Sequence, residues 1–238
     1  RLVTGNDTAS AVTITSTSGS LLDNEDAGDN DLDVTAATAV VTITTATGIG
    51  SSDNPLETSI STLIASVTGT GDVHIAETDA INLHSITTAD GRLTLTAGGN
   101  VTATSVVSTS VTQANDVTVT TTGSLHDIDV VTIDAGSTGD VVLTATGKIT
   151  DDNDNATLVT AAQLTATATG PITLDTNVSR ITARSTVSGN IQIQEADSIE
   201  LLGVETTDGD IAVNADGAIT AQNAAIRARH SDGSTAPI

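Results

Sequence analysis

Two stretches of this chain gather carboxylates densely enough to hold a cation. The first is Asp23-Asn-Glu-Asp-Ala-Gly-Asp-Asn-Asp-Leu-Asp33, the second Asp151-Asp-Asn-Asp-Asn155. Hard oxygen ligands on a loop suit calcium, which takes about six to eight of them. The candidate calcium ligands are therefore Asp23, Asp26, Asp29, Asp31 and Asp33 in the first loop, and Asp151, Asp152 and Asp154 in the second. Their spacing matches neither an EF-hand loop nor the Gly-Gly-x-Gly-x-Asp nonapeptide of calcium β-rolls. The competing reading is a solvated acidic loop, so no cofactor is certain and calcium is the one to test. A smaller echo, Asp127-Ile-Asp129, follows Gly123-Ser-Leu-His. All three stretches follow a Gly-x-aliphatic phrase, which predicts that they share one corner of the structure that carries them.

Other chemistry is thin. Glu77/Asp79 and Glu195/Asp197 form the one repeated acidic pair. An active site usually occurs once, so a pair present twice reads as structural. His74, His84, His126 and His230 show no metal-ligand spacing. No nucleophile elbow or phosphate loop appears. The chain is read as non-enzymatic.

The elements that must position these loops are legible in what the chain lacks. Its 238 residues include no Phe, Trp, Tyr, Met or Cys. A core built from Val, Ile, Leu and Ala alone must be narrow and regular, because no aromatic ring is there to fill wide gaps. Thirty acidic residues against 7 basic ones give a formal net charge of −23. That opposes binding to nucleic acid, which needs Lys and Arg to neutralise phosphates, and to anionic membrane surfaces. No apolar run approaches the ~20 residues of a membrane span. With Arg1 at its start and no signal peptide, the chain is read as a mature or excised piece of something longer.

A phrase recurs along the chain, a turn residue followed by alternating aliphatics. It appears as Gly71-Asp-Val-His-Ile, Gly91-Arg-Leu-Thr-Leu, Asn115-Asp-Val-Thr-Val and Gly139-Asp-Val-Val-Leu. It returns as Gly170-Pro-Ile-Thr-Leu, Gly189-Asn-Ile-Gln-Ile and Gly209-Asp-Ile-Ala-Val. Period-two alternation marks a strand with one buried face. The step from Gly139 to Gly170 is longer than the others and carries the second acidic loop. Above this repeat sits another, since a shift of 118 residues lays 56–103 over 174–221 without a gap. The chain therefore reads as a single elongated domain, 1–238, with two degenerate super-repeats at about 19–146 and 147–238. The predicted fold is an all-β, right-handed parallel β-helix, or β-solenoid, of roughly ten or eleven coils. A β-sandwich is the competing fold. No amphipathic helical cap is visible at either terminus, so the ends are predicted to be sticky.

Thr-x-Thr pairs, such as Thr94/Thr96 and Thr118/Thr120, raise an ice-binding ladder as an idea. Following the phrase from coil to coil, the outward pairs run on through Val142/Thr144, Thr173/Asp175 and Gln192/Gln194. On that register the ladder breaks, and ice binding is not expected.

The phrases Gly-Asp-Ile/Val-x-Ile, Ala-Asp-Gly-x-Leu-Thr-Leu-Thr-Ala-Gly-Gly-Asn-Val at 89–101, and Gly48-Ile-Gly-Ser-Ser-Asp-Asn-Pro-Leu-Glu-Thr resemble giant bacterial surface exoproteins with filamentous-haemagglutinin-like repeats. The resemblance covers nearly the whole chain and is one of repeat style. It implies a right-handed parallel β-helix that is secreted and works outside the cell or on its surface. The expected role is structural, as part of a fibre, stalk or sheath. The expected partner is the chain itself, end to end, or neighbouring repeats of a longer chain, with no nucleic acid and no membrane insertion. The alternative is an adhesin segment that binds a surface or glycan through calcium-bridged acidic loops.

Overall fold

The computed structural model describes residues 2–229 apart from 7, 9, 10, 25–31, 109, 111–114, 153, 155, 157, 222 and 223. Every regular element among them is a strand, and every strand pairing is parallel. Strands from successive coils stack into a β-solenoid of about 9 turns, close to the expected ten or eleven. Parallel stacking follows from the repeat. Each coil presents the same short strand at the same height, and the strand above is its nearest partner.

One coil shows how the phrase works. Val73–Glu77 alternates between buried and half-exposed residues, as the period-two pattern requires. A turn leads to Ile81–Asp90, which bends past a bulge at His84 before the next phrase begins. The polar residue of the phrase clamps one coil to the next. Asp72 Oδ1 accepts a hydrogen bond from the backbone N–H of Arg92 at 2.8 Å, and Asp116 Oδ1 accepts one from Asp140 at 3.0 Å. Glycine starts the phrase because coils touch there. A Cβ on Gly91 would stand 1.9 Å from the carbonyl oxygen of Gly71 in the coil before.

The interior is one continuous column of Val, Ile, Leu and Ala. Each fully buried aliphatic contributes about 1.5–3 kcal/mol, and only if a neighbouring coil covers it. Most of the inward residues expected from alternation are buried, among them Val73, Ile75, Leu95, Val119, Leu143 and Ile193. The exceptions are Ile211 and Val213, which are half-buried, and Ile219, which is exposed. All three belong to the last coil, whose strand Ile211–Ala215 has a paired neighbour on one side only among the described residues.

The structure corrects the register read from the phrases. Val73 stacks on Leu93, then Val117, Val141, Leu164, Ile181 and Leu201. A second column runs from Ile81 through Val101, Ile128, Ile149, Ile172, Ile191 and Ile211. The phrase occupies the first column up to Val141 and the second from Ile172 onward. The long step from Gly139 to Gly170 is thus one coil plus a move to the next strand around the coil. The straight strand Ile191–Glu195 and the bent strand Ile199–Thr206 have each moved on by one column relative to Val73–Glu77 and Ile81–Asp90. Each turn holds three strands, as in Leu93–Ala97, Val101–Ala103 and Val106–Ser108, so the shift of 118 residues spans five turns and one strand, and matching segments lie on different faces.

Two expectations fail for this reason. The acidic loops do not share a corner. Asp23 follows Leu21, in the first column above Ile49 and Val73, whereas Asp151 ends the strand Ile149–Asp151 in the second. Asp127 and Asp129 belong to neither loop. They flank Ile128 in a strand and its approach, and Asp129 Oδ1 accepts from Thr150 Oγ1 at 2.6 Å. The outward threonine ladder also runs differently. Val142/Thr144 stacks on Thr165/Thr167 and then Thr182/Arg184, not on Thr173/Asp175.

Candidate functional site

Asp23, Asp33 and Glu57 converge where the first acidic loop leaves the rod. Their carboxylate oxygens lie within 4.8 Å of one another, the one such group of three among the described residues. The backbone positions them. The N–H of Asp33 donates to the carbonyl of Glu57 at 3.0 Å, continuing the parallel ladder of Val34 on Thr58. In return the N–H of Glu57 donates to Asp33 Oδ2 at 3.1 Å. Asp23 and Asp33 thus close the ends of a loop that starts and finishes beside one strand of the next coil.

Electrostatics at this point favour a cation. Burial raises the Asp33 carboxyl above its ordinary value, and the charge of Asp23 adds to the rise. Burial also raises Glu57, with Asp23 and Asp33 pushing the same way. Glu57 Oε2 is shielded from solvent and accepts no hydrogen bond. A hard cation among these oxygens would relieve all three effects. Three carboxylates supply part of a calcium shell; the other expected ligands of this loop, Asp26, Asp29 and Asp31, lie outside the described residues.

The second loop is a weaker version. The N–H of Asp175 donates to Asp151 Oδ2, as Glu57 does to Asp33. Burial raises Asp175, helped by the charges of Asp151, Asp152 and Asp154. In the register, however, Leu158 stands beside Asp175 where Asp33 stands beside Glu57. Asp152 and Asp154 are exposed, and Asp154 N–H turns back onto Asp152 Oδ1 at 3.1 Å. The expected second set is thus partly dispersed. Sequence reasoning missed Glu57 and Asp175, which lie outside the acidic runs. The available signal was coil length: Glu57 sits one coil beyond Asp33, and Asp175 one coil beyond Asp151.

The repeated acidic pair has a different environment. Glu77 and Glu195 are buried. Glu77 Oε2 accepts from Thr58 Oγ1 at 2.7 Å, and the N–H of Ile60 points at the same carboxylate at 3.2 Å. Glu195 repeats the pattern with Thr176 Oγ1 at 2.8 Å and the N–H of Val178 at 3.1 Å. Burial pushes Glu77 up to about 7, against the hydrogen bond from Thr58, with Asp79 adding to the rise. Burial raises Glu195 in the same direction. These carboxyls tie a coil corner to the coil before and offer no open face to a substrate.

No protein family model, curated protein or solved structure matches the chain. The fold and these side chains are therefore the ground for any functional reading.

Proposed function

We propose that this chain is a non-enzymatic structural element of an extracellular or cell-surface fibre, stalk or sheath, and that its solenoids stack end on end. The carrying observation is the unbroken stack: every strand pairing among the described residues is parallel, and one body of aliphatics runs through successive coils. An inward aliphatic is fully covered where another coil follows, as Leu93 and Leu95 are; Ile211 and Val213, which match them, have no such cover among the described residues. Such a stack grows by adding a coil of the same kind, from the same chain or from another copy. The resemblance to filamentous-haemagglutinin-like exoproteins supports the same role and location. A net charge of −23 means that rods repel one another sideways, which favours growth along the axis when cations are present.

Electron microscopy of the purified chain tests the reading, first with calcium and then with a chelator. Fibres of uniform width are expected. Single short rods under both conditions would remove self-assembly. A second reading rests on the convergence of Asp23, Asp33 and Glu57: an adhesin segment whose first loop is set by calcium. That reading expects calcium to bind the single rod and order the loop without fibres forming.

A further inference from the structure

The corrected register assembles a surface that the phrases concealed. On the first column of strands, the outward residues from coil to coil are Thr94, Thr118, Val142, Thr165 and Thr182. Two residues along each strand stand Thr96, Thr120, Thr144 and Thr167, then Arg184. Eight of these ten positions are threonine. The pairings show no register shift through these five layers, and the first bulge comes at the next coil, between Ile181 and Thr182 where they meet 201–203.

The hydroxyls on this face are unlike the threonines elsewhere. At the corners, Thr58, Thr88, Thr121, Thr169 and Thr206 each donate a hydrogen bond within the chain. None of the eight face threonines makes a side-chain hydrogen bond to another described residue, so all eight hydroxyls are left to solvent. The two threonine rows themselves carry no charge until Arg184, while the outward row at their edge, Arg92, Asp116, Asp140, Gln163 and Arg180, is mostly charged and bounds the patch on that side.

We propose that this threonine face binds the surface of ice. The role is separate from end-on stacking, because the face lies along the rod and not at its ends. Hydroxyls and methyls repeat about 4.8 Å apart between strands and about 6.7 Å apart along each strand. Waters bound to such a grid would take up its two-dimensional repeat, the kind of ordered water layer that an ice surface presents. Parallel, in-register strands keep the grid flat and fixed before ice arrives, so little ordering is lost on contact. Each hydroxyl–water contact is weak, and many acting together from one rigid face hold the surface. Charged side chains would organise water around themselves and spoil the match, and the two threonine rows have none over four coils, the charges of Arg92, Asp116 and Asp140 lying at their edge. At Val142 the methyl surface continues and one hydroxyl is lost.

The test uses the whole chain in three forms: wild type, the pair Thr120→Lys with Thr144→Lys, and, as control, Thr44→Lys on the third column of strands, where it stacks with Ser66 and Thr87. Circular dichroism establishes that each retains the solenoid. Partition into a slowly growing ice hemisphere and the gap between melting and freezing points are then measured. The wild type and the control are expected to enter the ice and to open that gap. The paired variant is expected to lose both while remaining folded. Exclusion of folded wild type from ice overturns the proposal. So does equal incorporation of the paired variant, as does binding to insoluble polysaccharide without affinity for ice.

Discussion

Residues 56–103 and 174–221 have related sequences and alike interiors until their last coils, where they part. In the first segment Leu93, Leu95 and Val101 are buried, whereas their counterparts Ile211, Val213 and Ile219 are half-buried or exposed. Side chains of the same kind on the same alternation end in different surroundings. A strand's local sequence decides that it is a strand and which way its residues point. Whether those residues are buried is decided by the coil that follows. In a solenoid the core thus belongs to pairs of coils and to no single one.

Charge placement breaks that comparison most sharply. Val101→Asp puts a carboxylate into a thin apolar interior and should cost more than about 4 kcal/mol. Ile219→Asp, its match at the open end, should fall within about 0.5 kcal/mol of wild type. Urea unfolding followed by circular dichroism measures both. Equal losses would mean that another copy covers the last coil in solution.

The two buried glutamates come next. A carboxyl with an unfolded value of 4.5 and a folded value of about 7 binds more protons in the folded state. Its contribution to stability is therefore full below 4.5 and is lost as pH rises through about 7. The loss amounts to about 3 kcal/mol for Glu77. Glu195 acts with the same sign. Glu77→Gln keeps an acceptor for Thr58 and should be more stable than wild type at pH 8, but about equal to it at pH 4. Thermal melts across that range check the difference. A wild type that grows more stable as pH rises through 7 would contradict the burial argument.

Glycines give the smallest effect. Gly91→Ala should cost about 1–3 kcal/mol, because the new Cβ meets the backbone of the coil before. Gly203 matches Ser85 in the other segment, and its nearest atom to a built Cβ is 3.9 Å away. Gly203→Ser should be neutral within about 0.5 kcal/mol by the same urea assay.

Coil period, strand positions and buried aliphatics were all legible in the sequence, because each depends on alternation within a few residues. The column that a strand occupies was not. Val141 and Ile172 sit in similar local phrases, Gly-Asp-Val-Val-Leu and Gly-Pro-Ile-Thr-Leu, and only the residues between them move the phrase to another face. The loop 152–158 adds chain just before that move, so loop length hides the change of face from any local pattern. The acidic cluster was half legible for a similar reason. Asp23 and Asp33 stand out in a dense run, while Glu57 stands alone in its coil and joins them through stacking.

The extra strand in the longer repeat has an architectural consequence, because each turn holds three strands. A gene that lengthens by copying units of this size places successive copies about a third of a turn apart, as leaves spiral up a stem. A loop or flat patch carried by one unit would reappear on the next face of the rod, and return to its first face only with the fourth copy. A long array would then present the same feature on all three of its sides without evolving it three times.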